Sequence, residues 1–176
     1  KAIFFKTVLP LILQVNEEIL AERKRVWDLR YGMRLGQRLD AVDRLWLAGR
    51  FDHYGVAPGD FEGLLDRMDI IPPSLALAQS AEESGWGTSR FAQDGNAPFG
   101  QWTSNEAQGL VPIDRDAGST HAVRAYSRLI DGVQAYIDNL NTHRAYGEFR
   151  KARAAMHRLG ANLDGFSLAK TLTRYS

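Results

Sequence analysis

No cysteine occurs among the 176 residues of this chain. A disulfide framework, a thiolate metal site and a cysteine nucleophile are therefore excluded, and with them the cysteine-dependent amidases and peptidases. The same absence is compatible with cytoplasm and periplasm alike. An excess of one charge is also lacking: 22 Lys and Arg stand against 21 Asp and Glu, for a net charge of +1 and a pI near 8.2. That balance argues against an obligate nucleic-acid binder. The four histidines, His53, His121, His143 and His157, are scattered without metal-ligand spacing, and no His-Glu-x-x-His occurs. No metal and no other cofactor is expected. Long apolar runs are missing too. The opening Ile3-Phe-Phe-Lys-Thr-Val-Leu-Pro-Leu-Ile-Leu13 is interrupted by Lys6 and Pro10 and has no small-residue cleavage site after it, so it reads as the first helix and not as a leader or a membrane span. Lys1 stands in place of an initiating methionine, which leads to the expectation that a segment precedes it. Internal repeats and low-complexity tracts are absent.

What is present suits one globular domain, alone or with a helical extension: 44% of the residues are hydrophobic, enough to bury a core. Phe5, Val8, Ile12, Val15, Ile19 and Val26 recur at helical spacing and predict a long amphipathic helix over residues 3–30, bent at most near Pro10. A second helix is expected over 34–48, with Leu35, Leu39, Val42 and Trp46 on one side. Trp27 and Trp46 read as core. A short helix begins at Asp60, and Pro72-Pro73 resets the chain before another, with Ser74 as its cap, that ends at Glu83. From 85 to 120 glycine, asparagine, proline and serine dominate, predicting turns and short strands at 99–102, 110–113 and 121–126. Helices return at 127–141, 145–158 and 164–173. The fold class is α+β and mostly α, with a small β-lobe facing a helical core. Residues 1–58 are expected as an N-terminal helical extension and 59–176 as the main domain. The basic cluster Arg144, Arg150, Lys151, Arg153 and Arg158 reads as a solvated helix face.

The run Gln79-Ser-Ala-Glu-Glu-Ser-Gly-Trp-Gly87 carries the chemistry. A glutamate in the last turn of a helix is ordinarily a solvated charge facing the unfavourable end of the dipole. Here the helix before it is small and apolar and the turn after it is abrupt, which would carry Glu83 into a partly dry place against an aromatic ring. Burial there raises a carboxyl pKa and leaves a proton to donate near neutral pH, the requirement for a general acid in glycosidic cleavage. Glu82 lies about 100° around the helix and has a different environment.

Leu75-Ala-Leu-Ala-Gln79 leading to Glu83-Ser-Gly-Trp-Gly87, followed by Asn96-Ala-Pro-Phe-Gly-Gln-Trp102, resembles the N-acetylglucosaminidases of bacterial cell-wall turnover, among them flagellum-associated peptidoglycan hydrolases and autolysins. Thr88-Ser-Arg-Phe91 and Asn139-Leu-Asn-Thr-His-Arg-Ala-Tyr146 add a likeness to the Bax-type proteins of that group. The resemblance covers most of the chain. It implies a lysozyme-like fold and an endo-N-acetylglucosaminidase cleaving β-1,4 bonds of peptidoglycan in the periplasm or cell envelope, as a monomer bound to glycan strands. It implies Glu83 as the general acid, with Asp114 and Asp116 in the region of the second carboxylate and Glu106 as an outside candidate. The Thr-x-Glu-Tyr that relatives place there has no counterpart here. It also implies substrate contacts from Ser84, Trp86, Asn96, Phe99, Gln101, Trp102 and Tyr136, and from Tyr175, which opens a C-terminal motif that in relatives runs on to a further helix. A lytic transglycosylase and a non-catalytic peptidoglycan-binding protein are the alternative readings.

Overall fold

Residues 1–112 and 121–172 are described by the computed structural model of the chain. Helix α1 is Ala2–Arg34 and runs through Pro10. Helix α2 is Ala41–His53, α3 is Phe61–Arg67, α4 is Pro73–Glu83 and α5 is Arg90–Gly95. The strands β1 (Trp102–Thr103), β2 (Gly109–Leu110) and β3 (Ala122–Arg124) follow. Helices α6 (Leu129–Thr142), α7 (Gly147–Arg158) and α8 (Gly165–Ala169) complete the order. The fold is mostly α with one small sheet. Among the described residues no helix is long and apolar enough to cross a membrane.

The chain forms two compact units, Lys1–Val15 with Pro73–Ile137 and Asn16–Pro72 with Asp138–Ser176. In the first, Val8, Ile12 and Val15 of α1 are buried, as are Leu75, Ala76, Phe99, Val133 and Tyr136. The three strands form an antiparallel sheet in the order β1-β3-β2, with Trp102 opposite Val123 and Gly109 opposite Arg124. Gly109 is required there, because a Cβ would lie 2.7 Å from the Val123 carbonyl oxygen.

In the second unit Asp40, Asp60 and Asp164 cap α2, α3 and α8. Its buried polar centre is Arg153, whose guanidinium reaches the carbonyls of Asp66, Arg67, Asp69 and Ile70 and the Asn141 side chain. Arg150 similarly donates to the Leu140 and His143 carbonyls at the end of α6. Both arginines are buried, at 6% and 0% exposure, which overturns the solvated-face reading of that cluster for these two positions.

Other expectations are corrected as well. Helix α2 begins at Ala41 and not at 34, because Gly36 takes a φ of 80° after α1 and Asp40 supplies the cap. Leu35 and Val42 are exposed and Leu47 and Phe51 turn inward instead. Trp27 is half exposed, lying 5.2 Å from the Arg30 guanidinium, so it is not core. Helix α5 lies inside a stretch expected to hold only turns and strands. Ser74 is the second residue of α4, and Pro73 occupies the first position, where a missing N–H costs nothing.

Candidate active site

Glu83 is the last residue of α4, and the turn after it is held by its own side chains and backbone. Ser84 is fully buried; its hydroxyl donates to the Ser80 carbonyl at 2.5 Å and accepts from the Gly87 amide at 2.8 Å. Gly85, Trp86 and Gly87 then take φ values of 56°, 62° and 78° in succession. Glycine enters that region freely, whereas Trp86 does so at a cost of about 1–2 kcal/mol. Its amide closes on the Ala81 carbonyl at 2.8 Å. Its ring packs edge-on against Phe5 and Phe4 at 5.4 and 6.2 Å, with the Lys1 ammonium 4.4 Å from its centroid. These contacts offset the strain. Gly87 has no room for a side chain: a Cβ would come within 2.9 Å of the Phe4 ring.

The turn leaves the Glu83 carboxyl uncommitted. Among the described residues nothing donates a hydrogen bond to it. Glu83 and Glu82 are both exposed by area, so the environment is more open than the sequence predicts. Desolvation, and then the neighbouring Glu82 charge, still hold the Glu83 pKa above the ordinary glutamate value. Gly100, at a φ of 58°, brings backbone beside the acid: a Cβ there would stand 3.7 Å from Glu83 Oε2.

The segment that brings Gly100 to this place is anchored on both sides. Asn96 ends α5 in the left-handed conformation and donates from its amide to the Tyr126 carbonyl at 3.0 Å. Phe99 is buried and stacks on Tyr136, with centroids 3.8 Å apart and rings inclined by 5°. Gln101 donates to the Ala135 carbonyl at 3.1 Å and accepts from the Tyr126 hydroxyl at 2.5 Å. Tyr136, with no exposed surface, donates its hydroxyl hydrogen to Gln79 Oε1 on α4.

The structure thus brings together Glu83, Phe99, Gln101 and Tyr136, with Asn96 bracing the loop and Ser84 and Trp86 building the turn. Trp102 differs from Phe99: it is 62% exposed on β1, edge-on to His121 at 4.5 Å, and offers a free aromatic face. Glu106 opens a short 3-10 turn at Glu106–Gln108. Asp114, Asp116 and Tyr175 lie outside the described residues. Sequence reasoning passed over Gln79 and Gly100 as site residues. The first could have been found four residues before Glu83 on the same helix face; the second has no signal beyond being a glycine beside Phe99.

Among the described residues no group of three His, Asp or Glu side chains could hold a metal ion. The family model described as mannosyl-glycoprotein endo-beta-N-acetylglucosaminidase matches residues 60–171. The protein named bax from Escherichia coli (strain K12) is 34% identical over 182 residues, an alignment that takes in 100% of this chain and 63% of that relative. The chain therefore spans somewhat less than two thirds of the length of the relative it matches. No solved structure matches. With the family match over α3 to α8 and a relative aligned over all of this chain, the chain belongs to the glucosaminidase family, the glycoside hydrolases that act on glycans.

Proposed function

We propose that the protein is an endo-β-N-acetylglucosaminidase that cleaves β-1,4 bonds of bacterial peptidoglycan, with Glu83 as its general acid. The observation that carries this reading is the Glu83 carboxyl itself: it ends α4 unpaired among the described residues, beside the Gly100 backbone, with a pKa raised by desolvation. In the reaction the bond between the anomeric carbon and the leaving oxygen breaks. The Glu83 proton passes to that oxygen, and a water adds to the anomeric carbon and returns a proton to the carboxylate. The developing cation is stabilised by the substrate's own N-acetyl group, since neither Asp114 nor Asp116 stands in the motif relatives use. Retention of most of the rate by the Asn variants of both checks this. Trp102 stacks on a pyranose ring. The protein works as a monomer on wall polymer in the periplasm or envelope, with a lysozyme-like arrangement of acid and β-lobe.

Digestion of purified sacculi followed by mass spectrometry tests the reading. A reducing N-acetylglucosamine end in the products, absent with Glu83→Gln, is the expected result. A 1,6-anhydromuramoyl end would assign a lytic transglycosylase instead, and binding without released fragments would leave only a wall-binding protein.

A further inference from the structure

Two glutamines border this site, and they are satisfied differently. Gln101 uses both ends of its amide, donating to the Ala135 carbonyl and accepting from Tyr126. Gln79 uses one end: its Oε1 accepts from Tyr136, and among the described residues nothing accepts from its Nε2. The Tyr136 hydroxyl is an immobile anchor, because the ring is fully buried and lies flat on Phe99 at 3.8 Å. With the carbonyl end held there, the Gln79 amide is fixed and its two N–H hydrogens face away from Tyr136. Gln79 is partly buried and stands one helical turn before Glu83, where i and i+4 side chains are neighbours about 5–6 Å apart at Cβ. Ser80 beside it is closed off, its hydroxyl donating to the Leu77 carbonyl. The Gln79 Nε2 is not among the buried polar atoms left without a partner, so solvent reaches it, and a bound acceptor would replace water on a donor already held in place.

We propose that Gln79 is a specificity-determining residue, whose Nε2 donates a hydrogen bond to one lone pair of the acetamido carbonyl oxygen, the other facing the anomeric carbon, on the sugar whose leaving oxygen Glu83 protonates. The proposal rests on the glucosaminidase reading and adds to it the group that reads the substrate. The acetamido group is borne by the ring carbon adjacent to the anomeric carbon, so a donor beside the general acid is placed to meet it. An amide carbonyl is also the strongest neutral acceptor on such a sugar. Tyr136 acts through Gln79 and is a positioning residue.

Gln79→Met keeps the side-chain length and removes the donor. With N-acetylated glycan its kcat/KM should fall roughly 10- to 100-fold, the effect of losing one hydrogen bond in a partly dry site. The same glycan chemically de-N-acetylated lacks the group that assists the reaction and should be cleaved neither by the wild type nor by the variant, so the preference is read in binding. Calorimetric titration of tri-N-acetylchitotriose and of chitotriose into the inactive Glu83→Gln protein should show tighter binding of the acetylated one, a preference lost when Gln79→Met is added. Tyr136→Phe, which keeps the stacked ring, should lose part of it. An equal loss of binding for both trisaccharides on adding Gln79→Met, an unchanged rate on the acetylated glycan, or equal binding of the two trisaccharides to Glu83→Gln overturns the proposal. Should the wild-type chain leave the acetylated glycan uncleaved, the glucosaminidase reading falls, while the binding ratio still decides the role of Gln79.

Discussion

Replacing Arg153 by methionine removes a buried cation that holds the stretch between α3 and α4. The side chain has no exposed surface, and burial depresses its pKa to about 10, with the Asp69 carboxylate opposing that shift. Its Nη1 donates to the carbonyls of Asp69 and Ile70 and to Asn141 Oδ1 at 3.2, 3.1 and 2.8 Å, and its Nη2 to those of Asp66 and Arg67 at 3.1 and 3.0 Å. The ion pair with Asp69 is looser, Nε to Oδ2 at 3.5 Å, and no acceptor among the described residues takes the Nε hydrogen. The carbonyls therefore account for much of the interaction. Methionine fills most of the volume and satisfies none of these oxygens. Asp69 keeps its own Ile70 amide at 2.9 Å, His157 at 2.7 Å and Arg23 at 3.6 Å, so it is not stranded. Losing one partner of a buried charged network typically costs about 3–5 kcal/mol, and stability as a whole is only about 5–15 kcal/mol.

Urea unfolding should accordingly show Arg153→Met destabilised by about 3–5 kcal/mol, with Tm lowered by roughly 6–20 °C for a chain of this size. Asp69→Asn in the same background should add less than its own separate cost, since the two side chains share one network. An Arg153→Met protein within about 1 kcal/mol of wild type, with an unchanged denaturant slope, would refute the reasoning.

The proposed acid, its neighbour, the aromatic face and the turn each give a further expectation. Glu83→Gln should lower sacculus cleavage by at least roughly 10²-fold, the lower end of what a positioned acid contributes. Because folding raises the Glu83 pKa, the ionised form is penalised above that pKa; the variant should match or exceed wild-type Tm at neutral pH, with the gap closing as pH falls through it. Glu82→Gln should stay active but move the alkaline limb of the rate profile to lower pH, since the Glu82 charge helps hold that pKa up. Trp102→Ala should weaken binding of glycan fragments, seen by titration calorimetry, while leaving Tm nearly unchanged, because the ring is largely exposed. Gly87→Ala should destabilise by about 1–2 kcal/mol and alter Trp86 fluorescence, since it meets both an unfavourable φ and the Phe4 ring.

How far the sequence revealed this structure depended on where the partner groups lay. The stripe Phe5, Val8, Ile12, Val15, Ile19 and Val26 was readable because helix periodicity alone decides which residues turn inward, and all of it is buried except Phe5, which is 37% exposed where it meets the Trp86 ring. The helix ending at Glu83 was readable for the same reason, with glycines to stop it. The second helix was placed seven residues early because Leu35 and Val42 are apolar yet exposed, and an apolar residue need not be inside. Helix α5 was hidden by its composition, although Ser89, which caps it with a bond to the Ala92 amide, and Asn96, which ends it, were both visible signals. The burial of Arg153 was not legible in α7 at all. Apart from the Asn141 side chain, its acceptors are carbonyls more than eighty residues earlier, and no helical pattern announces a carbonyl.

The candidate site follows the same division. In the run that marks it, Ser84, Gly85, Trp86 and Gly87 are occupied with ending a helix: one hydroxyl bonded on both sides, three successive positive φ values, and a ring seated on Phe4 and Phe5. Their chemistry is spent on backbone geometry. That is what frees Glu83, since the amides of the turn, which could have donated to its carboxylate, are all bonded elsewhere, to the Ser80, Glu82, Ala81 and Gly85 carbonyls and to the Ser84 hydroxyl. The opposite holds for Gln79 and Tyr136, which carry no turn signal and sit in helices 57 residues apart. Their pairing is created by the fold alone, through the Phe99 stack that also sets Gly100 beside the acid. A sequence motif of this kind therefore records where the carboxyl must be placed, and the groups that surround it are found only once the helices have been brought together.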